Sequence, residues 1–254
     1  MTGKDEYYNK AKQEGYRSRS AYKLKQLDRE ENLLAEGRTV VDLGAAPGGW
    51  LQVASETVGD SGTVVGVDLQ RIDPIDGVET VRGDMTDETT KEEVREVAGD
   101  SVDVVVSDMA PNMTGEYSVD HARSVHLARQ AFEIALDVLD AGGDFAVKVF
   151  EGRDLDDLRD DIDEEFQYVR TTSPDASRDS SSELYLVAKG RTTAPVEAGD
   201  VLEVEVVDEG SEGDGVAKVE NYTLFVPDAS AGETVEIEVT EVKPRFGFAE
   251  LVEE

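Results

Sequence analysis

Five features of this chain combine residue types and spacing suited to chemistry: a glycine-rich loop, three aspartates that end apolar runs, and a lysine inside one such run. The loop is Val40-Val41-Asp42-Leu43-Gly44-Ala45-Ala46-Pro47-Gly48-Gly49-Trp50. Glycine and alanine let a ligand approach the backbone, and the helix that follows offers free N–H groups. A pyrophosphate site would want G-x-G-x-x-G, which G-A-A-P-G-G does not match, and Asp42 would repel phosphate. Both departures favour a cationic or zwitterionic ligand without phosphate, and S-adenosylmethionine fits. Asp68, ending the second apolar run, is placed to accept from ribose hydroxyls, and Asp84 from an adenine amino group. Turn capping is the other reading of both. Asp108 follows VDVVVS, with a helix cap as its alternative role, and Lys148 lies within FAVKVF, where an unpaired ammonium is costly in a buried strand.

The elements that must position these residues alternate. RTVVDL, SGTVVGVD, GVETVRGDM, SVDVVVSD, GDFAVKVFEG and SSELYLVAKG read as strands. WLQVASETV, TDETTKEEVREVAG, SVDHARSVHLARQAFEIALDVLDAGG and DLDDLRDDIDEEF read as helices between them. Such alternation predicts an α/β, Rossmann-like domain with a mostly parallel sheet covered on both faces, its ligands at the carboxyl ends of the strands. GRTTAPVEAGD reads as a linker. Beyond it, VLEVEVVDEG, GVAKVENYTLFVPD, ETVEIEVTEV and FGFAELVEE alternate apolar and polar residues at period two, which predicts a small all-β barrel of four or five strands. The expected organisation is a catalytic domain over 1–190 and a barrel over 191–254. His121 and His126 are five apart on the long helix with no third ligand in view, and read as surface or cap residues with no metal.

In this order, SRSAYKL, VVDLGAAPGGW, SDMAPN, AVKVF and SSELYLVAKG resemble the FtsJ/RrmJ family of ribosomal RNA ribose 2′-O-methyltransferases, over roughly residues 6–189. The resemblance implies a seven-stranded methyltransferase sheet, S-adenosylmethionine as donor, and a catalytic Lys–Asp–Lys–Glu tetrad. The matching positions are Lys23, Asp108, Lys148 and Glu183. It implies donor contacts at Gly48, Trp50, Asp68, Asp84 and Asp108. Without the motif, Lys23 would read as a solvated helix lysine and Trp50 equally well as core. Ser181 and Ser182 stand where many members carry a basic residue. The chemistry is consistent with these types: a 2′-hydroxyl is a poor nucleophile until its proton is taken, and a neutral amine can take it. A lysine's ordinary pKa of about 10.4 must fall for that, and Lys23 would push it down while Asp108 and Glu183 push it up. Lys148 therefore reads as base or hydroxyl-orienting group, Asp108 as its orienter beside the sulfonium, Glu183 as ribose positioner and Lys23 as a steadying charge.

The last 63 residues resemble a TRAM domain, an OB-like barrel appended to RNA-modifying enzymes, through GDGVAKV, TLFVPDA and VKPRFGFAEL. They hold 17 acidic and three basic residues, Lys218, Lys243 and Arg245, two of the three beside Phe246 and Phe248. Cations among aromatics suit single-stranded RNA held by stacking.

Over 254 residues, 58 Asp+Glu against 25 Lys+Arg give a net charge of −33. The acids are spread over helices and strands alike, as in proteins that remain hydrated in molar salt, and predict a halophilic source. At about 1 M salt the Debye length is roughly 3 Å, so net acidity does not exclude an RNA partner. Residues 1–38 hold nine basic and seven acidic residues, an asymmetry that suits a polyanion contact or an amphipathic helix with a basic face. The absence of cysteine excludes disulfides, thiolate nucleophiles and thiolate metal sites. No apolar run approaches about 20 residues, and MTGKDEYYNKAK has no apolar core, so the expectation is a cytoplasmic protein without a membrane partner. The expected partner is ribosomal RNA, within the large ribosomal subunit or its precursor. Transfer RNA is the rival substrate, and a non-catalytic RNA-binding assembly factor the rival of another class.

Overall fold

The computed structural model describes residues 4–99, 101–177, 182–210, 213–219, 222–243 and 245–252; Ser181, named above, lies outside them. Two compact units emerge, Met1–Asp163 with Tyr168–Arg191, and Thr192–Glu254 with Glu164–Gln167.

In the first, helices α1 (Lys4–Glu14) and α2 (Ala21–Glu31) precede β1 (Thr39–Leu43), α3 (Gly49–Val58), β2 (Thr63–Asp68) and β3 (Glu79–Arg82). There follow α4 (Glu88–Ala98), β4 (Val104–Ser107), α5 (Tyr117–Val138), β5 (Asp144–Phe150), α6 (Leu155–Glu165), β6 (Phe166–Thr172) and β7 (Glu183–Arg191). The sheet order is β3-β2-β1-β4-β5-β7-β6. β1 to β5 pair in parallel, and β7 runs antiparallel to β5. The valine runs of β1, β2, β4 and β5 are buried, as strands covered on both faces require. Strand order reverses between β1 and β4, so the crevice that takes ligands opens beyond Leu43 and Ser107.

Reading strand by strand finds six strands, and the structure adds β6. Phe166 follows the last residue of α6 with no glycine or proline between, and its buried residues, Phe166 and Val169, stand three apart. That spacing mimics a continuing helix. His121 also departs from expectation: it is 5% exposed rather than at the surface, whereas His126 is exposed. Among the described residues no helix is long and apolar enough to cross a membrane.

The second unit is a closed five-stranded barrel, β8 (Val201–Glu209), β9 (Gly215–Val219), β10 (Tyr222–Val226), β11 (Thr234–Val242) and β12 (Phe246–Leu251), ordered β10-β12-β11-β8-β9. Inward residues such as Val206, Ala217, Leu224, Ile237 and Ala249 fill it. The alternate residues of β10 and β12 place Phe225, Phe246 and Phe248 together outside, with ring centroids 5.6–5.9 Å apart.

Asp144, 2% exposed at the start of β5, ties three strands of the first sheet at one end. It accepts from Arg38 beside β1 (2.6 Å), Lys189 of β7 (2.7 Å) and the Gly190 N–H (3.1 Å). Removing one charge from a buried, multiply bonded group leaves its partners uncompensated. Asp144→Ala is expected to lower unfolding free energy by about 2 kcal/mol, discounted for the partial exposure of both cations, as measured by denaturant titration in molar KCl.

Candidate active site and donor cavity

Strand register assembles the reactive cluster. Lys148 pairs with Tyr185 and Phe150 with Glu183, so Lys148, Tyr185 and Glu183 share one face of the β5–β7 ladder. Ser107 pairs with Val147, so Asp108, one residue on, arrives level with Lys148. Helix α2 covers this face and contributes Lys23, only 7% exposed and therefore not a solvated helix lysine. The four positions implied by the motifs are thus brought together.

Asp108 is their hub. Its Oδ1 accepts from Lys148 Nζ at 2.9 Å and the Tyr185 hydroxyl at 2.5 Å, with Lys23 Nζ at 3.5 Å. Lys148 also donates to the Asp108 backbone carbonyl at 2.5 Å, and Lys23 lies 2.7 Å from Glu183 Oε1. Burial alone would raise the Asp108 pKa, but the ammonium groups of Lys148 and Lys23, with the hydrogen bonds from Tyr185 and Lys148, outweigh it and hold the carboxyl below the ordinary value. Tyr185 is pushed well above the usual phenol range by burial, then by the charges of Asp108 and Glu183, so it serves as a neutral donor. Sequence reasoning missed Tyr185. The signal was its place in SSELYLVAKG, two residues past Glu183 and hence on the same face of a strand.

Beside the cluster lies a cavity of about 440 Å³, within the size range of small-molecule sites. Its apolar wall includes Leu43, Val67, Leu69 and Met85, and its polar lining includes Asp68, Asp84 and Asp108 but no lysine or arginine. Three carboxylates without a cation suit a positively charged ligand that lacks phosphate. Gly44 lines this space because a Cβ there would stand 2.2 Å from Met109 Cγ. Asp68 and Asp84 combine both readings made from sequence, since they line the cavity and also hold their own turns. Asp68 accepts from the N–H groups of Ala46 (3.0 Å) and Gln70 (2.7 Å), and Asp84 from the N–H and hydroxyl of Thr86 (2.9 and 2.8 Å). The Thr86 bonds hold Asp84 below the ordinary carboxyl range.

Gly48 and Trp50 do not line this cavity. Gly48 takes φ +103°, and a Cβ would lie 2.8 Å from Ile75 Cδ1. Trp50 is 3% exposed, donates from Nε1 to the Ser20 carbonyl at 2.8 Å, and borders a smaller polar space of about 40 Å³ with Asp42, Gly49 and Asp108. Both shape the loop. Arg17, visible in sequence only as part of a basic leader, clamps it: its guanidinium donates to the carbonyls of Pro47 (3.2 Å), Asp73 (2.6 Å) and Pro74 (2.6 Å). Arg19 and Arg38 are likewise turned inward, onto Ala176 and Leu33 carbonyls, so part of the leader's charge serves the fold. Leu127, Gln130 and Ile134 of α5 complete the cavity wall, which helical periodicity alone does not reveal.

Comparison with known proteins agrees with this geometry. Residues 16–191 match the model of the FtsJ-like methyltransferases, and residues 195–252 that of the TRAM domain. The chain is 72% identical over 253 residues to the ribosomal RNA large subunit methyltransferase E of Natronomonas pharaonis, covering all of both chains. The same-named protein of Haloarcula marismortui is 65% identical over 263 residues, again covering all of both. A solved ribosomal RNA methyltransferase from Plasmodium falciparum superposes with a TM-score of 0.63 at 29% identity, covering 69% of this chain and 98% of that one.

Asp42 yields a test of the site's electrostatics. It is 2% exposed, its Oδ2 has no hydrogen-bond partner among the described residues, and burial, then the charges of Asp108 and Asp68, raise its pKa well above the ordinary value. In the unfolded chain it ionises above about pH 4, whereas the fold holds its proton to higher pH. It therefore costs stability as pH rises above that value. Asp42→Asn, which carries no such penalty, is expected to gain on the unchanged protein between pH 4 and pH 7, by denaturant titration at constant salt.

Proposed function

The chain belongs to the FtsJ-like methyltransferase family, and on that premise we propose that it transfers a methyl group from S-adenosylmethionine to a ribose 2′-hydroxyl, on a uridine of large-subunit ribosomal RNA. The observation that carries this reading is the pairing of a cation-free, carboxylate-lined cavity with the Lys148–Asp108–Lys23–Glu183 cluster at its edge. When bound, S-adenosylmethionine supplies an electrophilic methyl on a sulfonium. Gly44, Asp68, Asp84 and Asp108 would hold it, the carboxylates matching its positive charge.

This chain's own residues do the rest. Lys148 spends two donor directions on the carbonyl and Oδ1 of Asp108, which leaves a third nitrogen position for the ribose hydroxyl. As a neutral amine that position is a lone pair able to take the hydroxyl proton; as an ammonium it orients the oxygen. Asp108 fixes the direction of Lys148 and is itself held by the Tyr185 hydroxyl. Lys23, in ion pairs with both Glu183 and Asp108, keeps Glu183 in place to position the ribose. Fixing nucleophile and donor in line supplies much of the rate. The methyltransferase domain spans 1–190 in this reading. The barrel over 191–254 adds an RNA contact through Phe225, Phe246 and Phe248, and the RNA sits in the large ribosomal subunit or its precursor.

Labelled methyl transfer to separated ribosomal and transfer RNAs in molar KCl, followed by nuclease mapping, tests the proposal. Label is expected in a ribose-methylated large-subunit fragment, and label in transfer RNA alone overturns the substrate. Lys148→Ala is expected to lower the transfer rate at least 100-fold while donor binding, read by calorimetry, stays within about twofold. Replacing Phe246 and Phe248 together by alanine is expected to weaken RNA binding about tenfold or more without changing donor affinity, since stacking contributes roughly 1–3 kcal/mol per base.

A further inference from the structure

Tyr117, the first residue of α5, combines high exposure with unusual fixity. The residue is 60% exposed, although its hydroxyl donates to the Glu151 carbonyl at 2.5 Å. One ring face lies parallel to the His121 imidazole, with centroids 6.4 Å apart and planes 12° apart. That imidazole is in turn held between the Phe150 carbonyl (3.0 Å from Nδ1) and the Asp154 N–H (3.3 Å from Nε2), and backed by Gly152, where a Cβ would stand 2.4 Å from the ring. Because Nε2 accepts, Nδ1 carries the proton in this network. The loop before Tyr117 is pinned as firmly: Asp120, 3% exposed, accepts from the Thr114 N–H and hydroxyl and from the Gly115 N–H at 2.8–2.9 Å. Tyr117 thus stands between two pinned neighbours, held by its own hydroxyl bond and ring contact while most of the residue remains in solvent.

The location is informative. Glu151 stands three residues beyond Lys148, just past the end of β5, at most about 10 Å away along an extended chain. The same rim carries Met113, 63% exposed, and the guanidiniums of Arg123, directed at Asn112, and Arg153, whose side chain is 92% exposed. Arg153 is paired with Asp154 at 3.4 Å, and Glu116 and Glu151 flank Tyr117, so what this rim offers an RNA base is the open aromatic face and the exposed Met113, with two guanidiniums in reach of its phosphates.

We infer that Tyr117 is a preorganised stacking platform for an unpaired base of the RNA, flanking the nucleotide whose ribose reaches Lys148. The inference rests on the function proposed above and adds a base-binding subsite to it. With its rotamer already fixed, the ring loses little further freedom on binding. The subsite selects for single-stranded or splayed RNA at the target, because a base inside a duplex has no free face.

The test uses the full chain and transcribed large-subunit ribosomal RNA. Tyr117→Ala is expected to lower kcat/KM for RNA about tenfold or more, with the KM for S-adenosylmethionine and the melting temperature unchanged. Tyr117→Trp is expected to restore most of that loss, and its added fluorescence to be quenched by the RNA, above the response of the buried Trp50 in the unchanged protein. An alanine variant within twofold of the unchanged protein overturns the inference. So does a tryptophan variant as impaired as alanine, or an indole that RNA leaves unquenched. Quenching reads the stack without turnover, so methyl transfer absent from the unchanged protein would count against the proposed function alone.

Discussion

A single carboxylate oxygen at the edge of the cavity organises this molecule. Asp108 Oδ1 receives Lys148, Tyr185 and, at longer range, Lys23, from three separate elements: β5, β7 and α2. Two ammonium groups on one face of a central sheet would repel each other and each would be costly to desolvate. The Asp108 and Glu183 charges between and beside them make the arrangement tolerable, and in doing so fix where every member points. The antiparallel insertion of β7 next to β5 follows the same constraint, since that register sets Tyr185 opposite Lys148 and brings Glu183 to the same face.

Around this hub the structure separates two environments. The cavity is carboxylate-lined and, among the described residues, takes no lysine or arginine into its lining, whereas the adjoining cluster concentrates two lysines within a chain dominated by acids. The glycine-rich loop lies between them and is held from outside by Arg17, whose three carbonyl partners join it to the segment after β2. Donor site and cluster are therefore built from shared backbone, and a disturbance of either reaches the other through Asp108 and the loop.

The surface follows a different rule. Acids cover helices such as α4 and α6 wherever neither packing nor chemistry forbids them, in keeping with the halophilic archaea among the relatives. In molar salt, attraction over distance is screened, so partner contacts must come from groups that touch. The outward phenylalanine cluster of the barrel, with Phe246 exposed, and the exposed Tyr117 are groups able to make such contacts.

The sequence determined most of the architecture, six strands, the barrel and the loop, since period-two and buried apolar runs are local signals, and its five ordered motifs gave the Lys–Asp–Lys–Glu positions through their resemblance to a known family. It could not supply β6, whose apolar spacing continues the helix before it, nor the antiparallel sense of β7, because strand direction depends on which neighbour is paired. Tyr185 and the internal roles of Arg17 and His121 also lay beyond it. Each acts through atoms far away in the chain, such as Asp108, the Asp73 carbonyl and the Asp154 N–H, which only tertiary packing brings within hydrogen-bond distance. For Gly48 and Trp50, which the motif marks as donor contacts, the structure shows a place in the loop outside the lining of the large cavity, Trp50 bordering the smaller space beside Asp108.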